Sequence, residues 1–368
     1  MVRLEACYTV RSCRQEIEAR ADLLALEQSA ELPREALSSA STDFIRESVA
    51  AVTSIEPLDE HAFRVTLAFP ERILDSDPAV MMNLLFGNSS LQEDVRLTAV
   101  RPCDEVLEDL GGPRYGIDSL RKMLDAWGRP LTATALKPVG LGAEDLGALC
   151  ETFARAGIDI IKDDHSLADH AHCRFEDRVA ACMQAVERGQ QRGGRRSIYV
   201  PNLIGSPGAV LEQIDIARRH GVEAVMIAPM LLGLPFFHEV VKEELEGPVL
   251  AHPSLAGSMA MAPEALLGQV FRLLGADAVI FPHSGGRFAF SEKTCFDLAH
   301  RLREPWGSLA PAFPTPAGGL SIHRVAEIKA FYGPDMIMLT GGSLHVSGPD
   351  LLETTRDFVL AVASPMTG

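Results

Sequence analysis

Beyond Trp127 the chain alternates strand-like and helix-like segments without interruption, and few folds accept that order. Short apolar, β-branched runs at 131–137, 158–162, 197–200, 224–228, 249–252, 278–283, 311–316 and 336–340 read as eight strands. Between and after them, amphipathic stretches at 143–156, 175–188, 207–220, 235–245, 263–274, 292–303, 322–332 and 351–362 read as helices. Pro207, Pro235 and Pro263 stand where helices open, and Gly157, Gly221 and Gly275 where a left-handed closing residue is wanted. Eight βα units in about 240 residues are the length of a TIM barrel. An open doubly wound sheet is the alternative, but it would have fewer units and a Gly-x-Gly-x-x-Gly turn after its first strand, which this chain lacks.

Residues 1–125 lack this alternation. Strand patterns at 3–10, 61–69 and 95–102 mix with helical patterns at 15–26 and 78–85. The expected fold is therefore α/β, a (β/α)8 TIM barrel over 126–368 ending in a C-terminal helix, preceded by an N-terminal α+β domain over 1–125.

In such a barrel the ligand lies at the carboxyl ends of the strands, so residues far apart in sequence can be collected into one site. Strand one ends in Lys137-Pro138, strand two in Lys162-Asp163-Asp164-His165, strand three in Asn202 and strand five in His252. Strand six ends in His283-Ser284-Gly285-Gly286-Arg287, strand seven in Gly318-Gly319 and strand eight in Gly341-Gly342. A Lys-Asp-Asp run alone is weak evidence, because acidic helix caps follow many strands. One Gly-Gly pair is more often a tight turn than a site. Two pairs at the last two strand ends favour a cradle of backbone N–H groups for a phosphate. Lys137 and Lys162 follow apolar residues, where desolvation lowers an amine's pKa and suits it to act as base, Schiff-base former or carbamate. Asp164 offers a hard oxygen for Mg²⁺. His252 and His283 are candidate proton shuttles or hydrogen-bonded structural residues, while His170, His172, His220, His238, His323 and His345 have no comparable context.

Charge narrows the ligands. A formal net charge of −16 over 368 residues opposes binding to nucleic acid or to an acidic membrane surface. Seven scattered cysteines without a Cys-x-x-Cys pair point to neither a disulfide framework nor structural zinc, and the expected location is a reducing cytoplasm. The sequence has no apolar run of membrane-spanning length and no signal-peptide pattern at its start.

Lys137-Pro138, the Gly-x-Asp-x-x-Lys-Asp-Asp of 157–164, His252, His283-Ser284-Gly285, Gly318-Gly319 and Gly341-Gly342 together resemble the catalytic barrel of the RuBisCO superfamily. Gly87-Asn88 is similar to the N-terminal-domain pair that reaches a neighbouring subunit's active site. The resemblance implies a homodimer with shared active sites and Mg²⁺ held through carbamylated Lys162, with Asp164 as a ligand. It also implies Lys137 as acid/base for an enediolate and His283 as a substrate contact. The departures argue against CO₂ fixation. His165 stands where carboxylases carry a glutamate ligand, which makes its imidazole the third candidate for the metal. Val139 replaces a second lysine, and Pro253 replaces an arginine that grips a second phosphate. Residues 285–291 are too short for the closing loop, leaving Arg287 for another role on substrate.

The pattern resembles a RuBisCO-like, form IV member, and its short length is closer to the methionine-salvage branches. The function expected from the resemblance is proton-transfer isomerisation of a phosphorylated ketose, 5-methylthioribulose 1-phosphate, with Pro253, Leu255 or Phe288 against its apolar tail. The alternatives are a 2,3-diketo-5-methylthiopentyl-1-phosphate enolase, a decarboxylase of a 3-oxo sugar-acid phosphate, a Schiff-base aldolase and a non-catalytic dimeric scaffold.

Overall fold

The computed structural model describes residues 2–193, 195–288, 290–346 and 350–365. Two compact units divide the chain. One comprises the residues up to Gly112 with Ala256–Leu274 and Trp306–Leu309; the other comprises Pro113–Leu255, Gly275–Pro305 and the chain from Ala310 onward.

The first unit is built on an antiparallel sheet of β1 (Val2–Arg11), β2 (Ala51–Pro57), β3 (Ala62–Pro70) and β4 (Val95–Pro102), in the order β2-β3-β1-β4. Tyr8 in the central β1 faces Val65 on one neighbour and Leu97 on the other, and its hydroxyl donates to the Leu85 carbonyl at 2.6 Å. The helix Pro78–Phe86 begins as its sequence requires, with Asp77 accepting the Ala79 and Val80 N–H groups ahead of Pro78. β2 has no strand signal in the sequence because it is a half-exposed edge with polar Thr53, Ser54 and Glu56 and no fully buried face. The segment expected as the barrel's helix at 263–274 runs as Pro263–Ala265, a π-turn Leu266–Val270 and Phe271–Leu273, and it groups with this unit. The amide of Gln269 explains why, since it both donates to and accepts from the Val100 backbone at 2.9 and 3.0 Å.

The second unit is the barrel. Its strands are β5 (Leu131–Leu136), β6 (Ile160–Asp163), β7 (Ile198–Val200), β8 (Asn202–Leu203), β9 (Val225–Ile227), β10 (Val249–Ala251), β11 (Ala278–Pro282), β12 (Phe313–Ala317) and β13 (Ile337–Thr340). They form two parallel arcs, β13-β5-β6-β7 and β12-β11-β10-β9-β8. β7 and β8 are one strand split at Pro201, which has no N–H to donate but whose carbonyl still accepts from Met226. Eight strand positions result, as the sequence led us to expect. The helices Ala143–Ala156 and Glu292–Arg303 have the expected bounds, and Gly157 closes the former at φ 89°.

Leu131, Ala133, Ile160, Val200, Met226, Leu250, Ile280, Phe313 and Ile337 meet in the barrel's core cluster, each large aliphatic side chain contributing about 1.5–3 kcal/mol by burial. Ile117, Leu120 and Leu124 of the helix Gly116–Leu124 belong to the same cluster. Buried Asp277 accepts the Tyr115 and Gly116 N–H groups at 2.9 and 2.7 Å, anchoring that helix to the start of β11. The unit boundary lies at Gly112/Pro113, ahead of the expected one near residue 125, because the helix Gly116–Leu124, not expected from the sequence, packs into the barrel core. None of the described helices is long and apolar enough to cross a membrane.

Candidate active site

Strand alternation sorts the Lys-Asp-Asp run. Ile160 faces the barrel core, so Lys162 and Asp164 continue on that face while Ile161 and Asp163 turn away. Asp163 is fully buried and wholly occupied. Arg178 Nε donates to Oδ2 at 3.0 Å, Tyr199 OH to Oδ1 at 2.7 Å and the Asn202 N–H to Oδ2 at 3.1 Å. Asn202 spends its side-chain amide on the carbonyls of His165 and Leu167, both at 3.0 Å, and so staples the loop that carries His165.

Lys162 is buried, and its Nζ donates to the Asp163 carbonyl at 2.8 Å. Burial lowers its pKa to about 8, against the pull of Asp164 and Asp163 and with help from the charge of Lys137. A large fraction of this amine is therefore neutral near pH 8, the form that acts as a base or takes up CO₂ as a carbamate. Lys137 follows the inward Ala133 and Ala135 and pairs through Nζ with Asp164 Oδ2. Its Cε lies 3.6 Å from where a Cβ on Gly341 would stand, ordinary contact distance, which puts the lysine beside the turn at Gly341. On the other oxygen of Asp164, His165 Nδ1 and the Ser166 N–H each approach Oδ1 at 3.1 Å. Burial alone would raise this carboxyl, but the hydrogen bonds from His165, Lys137 and Ser166 hold it well below the usual carboxylate range.

The imidazole of His165 stacks on that of His252, with centroids 4.4 Å apart and planes 7° from parallel. His252 Nδ1 accepts the Ser254 N–H at 3.2 Å and lies 2.8 Å from Ser254 Oγ, which leaves the ring proton on Nε2. Burial, reinforced by the charge of Lys162, pushes its pKa down to about 2. His252 is thus a neutral Nε2–H donor.

His283 falls on the opposite parity from core-facing Ile280 and turns toward the helix Val325–Tyr332. Its Nδ1 bonds to Tyr332 OH at 2.8 Å, and Arg324 Nη2 approaches Nε2 at 3.4 Å. Burial and the Arg324 charge lower its pKa and keep it neutral. Arg324 also donates to the Ser284 carbonyl and pairs with Glu327. Nothing in the sequence singles out Arg324.

The glycine turns are held together. A Cβ on Gly286 would stand 2.3 Å from the Gly318 carbonyl oxygen, which instead accepts the Arg287 N–H at 2.8 Å. Gly318 and Gly319 sit at φ 93° and 105°, conformations that side chains resist. The Leu320 carbonyl accepts from Thr340 Oγ1 and Ser343 Oγ, tying this turn to Gly341 and Gly342. The Arg287 guanidinium lies over the Phe288 ring at 5.4 Å.

Lys137, Lys162, Asp164, His165 and His252 are thus brought together, and the glycine turns are tied to one another. Asn88, in the other unit, donates to Glu27 Oε1 at 3.0 Å. His345, given no role by the sequence, has a buried Nε2 without a hydrogen-bond partner among the described residues and packs edge-on to Phe153. Ser254, missed like Arg324, stands two positions after His252, a spacing that could have flagged it.

Among the described residues, no three His, Cys, Asp or Glu side chains converge on a metal position. Asp164 and His165 provide two donors, and Lys162 becomes a third when carbamylated. Two carboxylate-type oxygens and an imidazole, with water in the remaining positions, fit a divalent ion.

Residues 116–285 match the family model for the catalytic domain of the ribulose bisphosphate carboxylase large chain. The ribulose bisphosphate carboxylase-like protein 1 of Rhodopseudomonas palustris is 44% identical over 98% of each chain. The 5-methylthioribulose-1-phosphate isomerase of Rhodospirillum rubrum is 43% identical over 98% of this chain and 96% of its own. A 2,3-diketo-5-methylthiopentyl-1-phosphate enolase of Geobacillus thermodenitrificans is 29% identical over 83% of this chain and 76% of its own. Among solved structures, a Rubisco-like protein from Rhodopseudomonas palustris superposes with a TM-score of 0.91 at 39% identity, covering 99% of this chain and 98% of that one. With this likeness running through both units and the strand-end residues in place, the chain belongs to the RuBisCO-like protein family.

Proposed function

We propose that this protein isomerises a phosphorylated ketose by proton transfer, with 5-methylthioribulose 1-phosphate of methionine salvage as substrate. The observation that carries the reading is the convergence of a buried, easily deprotonated Lys162 with the Lys137–Asp164 pair at one end of the barrel. The 43% identity to the isomerase of Rhodospirillum rubrum, far above the 29% to an enolase, supports this substrate over the diketo phosphate.

Turning the 1-phosphate into a pentulose 5-phosphate moves the carbonyl by two carbons in two successive one-carbon shifts; each shift takes a first proton from the carbon next to the carbonyl and returns a second to the former carbonyl carbon, through an enediolate. Lys162, as its carbamate, removes the first proton. The ammonium of Lys137, steered by Asp164, delivers the second. The Nε2–H of neutral His252 donates to the oxygen on which charge develops, a role its low pKa favours over proton shuttling. Backbone N–H groups of the turns at Gly318-Gly319 and Gly341-Gly342 hold the single phosphate, and Arg287 contributes a further charge. The dimer with shared sites is part of this proposal, with Asn88 contributed by the partner. A Mg²⁺-type ion held by carbamylated Lys162, Asp164 and His165 would supply Lewis-acid stabilisation of the enediolate.

Proton NMR in D₂O with Mg²⁺ and bicarbonate tests the proposal. Incubation with 5-methylthioribulose 1-phosphate should yield new pentulose 5-phosphate resonances, absent with Lys162→Ala. Turnover of the diketo phosphate alone would assign the protein to the enolases instead.

A further inference from the structure

Asp164 Oδ1 and His165 Nδ1 face each other at 3.1 Å. Two cis ligands, each about 2.1 Å from one octahedral ion, stand about 3.0 Å apart. The 3.1 Å contact is the hydrogen bond that His165 gives Asp164, so an ion would take the place of its proton at nearly unchanged spacing, and three contacts fix that spacing. The Ser166 N–H holds Asp164 Oδ1 at 3.1 Å, Asn202 holds the His165 carbonyl at 3.0 Å, and the His252 ring lies flat against the His165 ring. Lys137 engages only the other carboxylate oxygen, and the His165 side chain is 44% exposed, which leaves the approach open.

From this geometry we infer that His165 is a nitrogen ligand and that the site prefers Mn²⁺, Fe²⁺ or Co²⁺ to Mg²⁺. The inference rests on the metal part of the proposed function and goes beyond it in the identity of the ion. Mg²⁺ demands oxygen donors and gives up water reluctantly, whereas imidazole nitrogen suits the later first-row divalent ions, whose affinity rises along that row. Binding forms one metal–oxygen and one metal–nitrogen bond here, displaces water and any Nδ1 proton, and involves no redox change.

The probes are Mn²⁺ and Mg²⁺ added separately to the full chain in bicarbonate buffer. Pulsed electron paramagnetic resonance of the Mn²⁺ form should show ¹⁴N coupling that changes with ¹⁵N-histidine labelling and vanishes in His165→Gln. Calorimetry should show Mn²⁺ binding weakened by at least about tenfold in His165→Gln, the low end of what even outer-sphere changes cost. The Mn²⁺-over-Mg²⁺ preference should fall in His165→Glu, which restores an all-oxygen set. Asp164→Asn should weaken both ions, placing them at this site. Bound Mn²⁺ without ¹⁴N coupling, or an unchanged preference in His165→Glu, overturns the nitrogen-ligand inference and leaves the proposed function standing. Failure of both ions to bind in bicarbonate overturns both this inference and the metal part of that function.

Discussion

Ser254 illustrates how a residue without chemistry of its own can set the state of one that has it. By occupying His252 Nδ1, it places the ring proton on Nε2 and makes the imidazole a donor. Ser254→Ala removes the hydroxyl and keeps the N–H, so the tautomer lock loosens. We expect kcat/KM to fall about tenfold, as for other residues that orient a working imidazole, with the melting temperature little changed. Steady-state kinetics and thermal unfolding on the same preparation check this. At this scale the sequence was partly legible. Lys162, Asp164 and His252 stood out by their strand ends, but Asp163 stands in the same run and has a different job. Its pairing with Arg178 and Tyr199 depends on which side of β6 it falls, and on a helix that begins twelve residues later.

The elements carry two of the strains on this design. Asp163 and Arg178 have no solvent exposure, and Arg178 Nη2 has no hydrogen-bond partner among the described residues. Arg178→Met would leave a carboxylate buried without its counter-charge, which should cost about 3–5 kcal/mol in urea unfolding. A loss below 1 kcal/mol would mean that Tyr199 and the Asn202 N–H suffice to hold Asp163. Gly286→Ala would drive a Cβ onto the Gly318 carbonyl, opening the turn between β11 and β12. The expected result is a rise in KM for the phosphorylated substrate with circular dichroism unchanged, because the clash lies between the two turns that follow β11 and β12. The glycine pairs were conspicuous in the sequence. The hydroxyls of Thr340 and Ser343 that tie one turn to the other were not, since they bond to a carbonyl about twenty residues away.

For the molecule as a whole, Asp277 links the closed end of the barrel to stability. Burial raises its pKa to about 6, against the N–H donors of Gly116, Val249 and Tyr115 that pull it down. A folded pKa above the unfolded value of about 3.9 means the folded state binds the extra proton. The stabilisation is full below about pH 4 and is lost as pH rises through about 6. The unfolding free energy of the wild type relative to Asp277→Asn should therefore decline between those values, and a flat difference would show that burial is offset by the backbone donors. The proposed shared-site dimer makes a separate prediction. Lys162→Ala and Asn88→Ala, each impaired alone, should regain activity when unfolded together and refolded as mixed dimers; no regain would mean that each chain's site is self-sufficient.

Periodicity and punctuation settled the eight βα units, because strand and helix repeats of two and 3.6 residues are local properties, and so are the glycines and prolines that end them. The barrel in turn settled which strand ends converge, since its closure brings them to one rim whatever their separation in the chain. Contacts made across the fold were beyond the sequence. Gln269 grouped the segment at 263–274 with the antiparallel sheet, and the helix Gly116–Leu124 joined the barrel through Asp277. The protonation states of Lys162 and His252 were decided there too. They follow from desolvation and neighbouring charge, which exist only once strands remote in sequence have packed together.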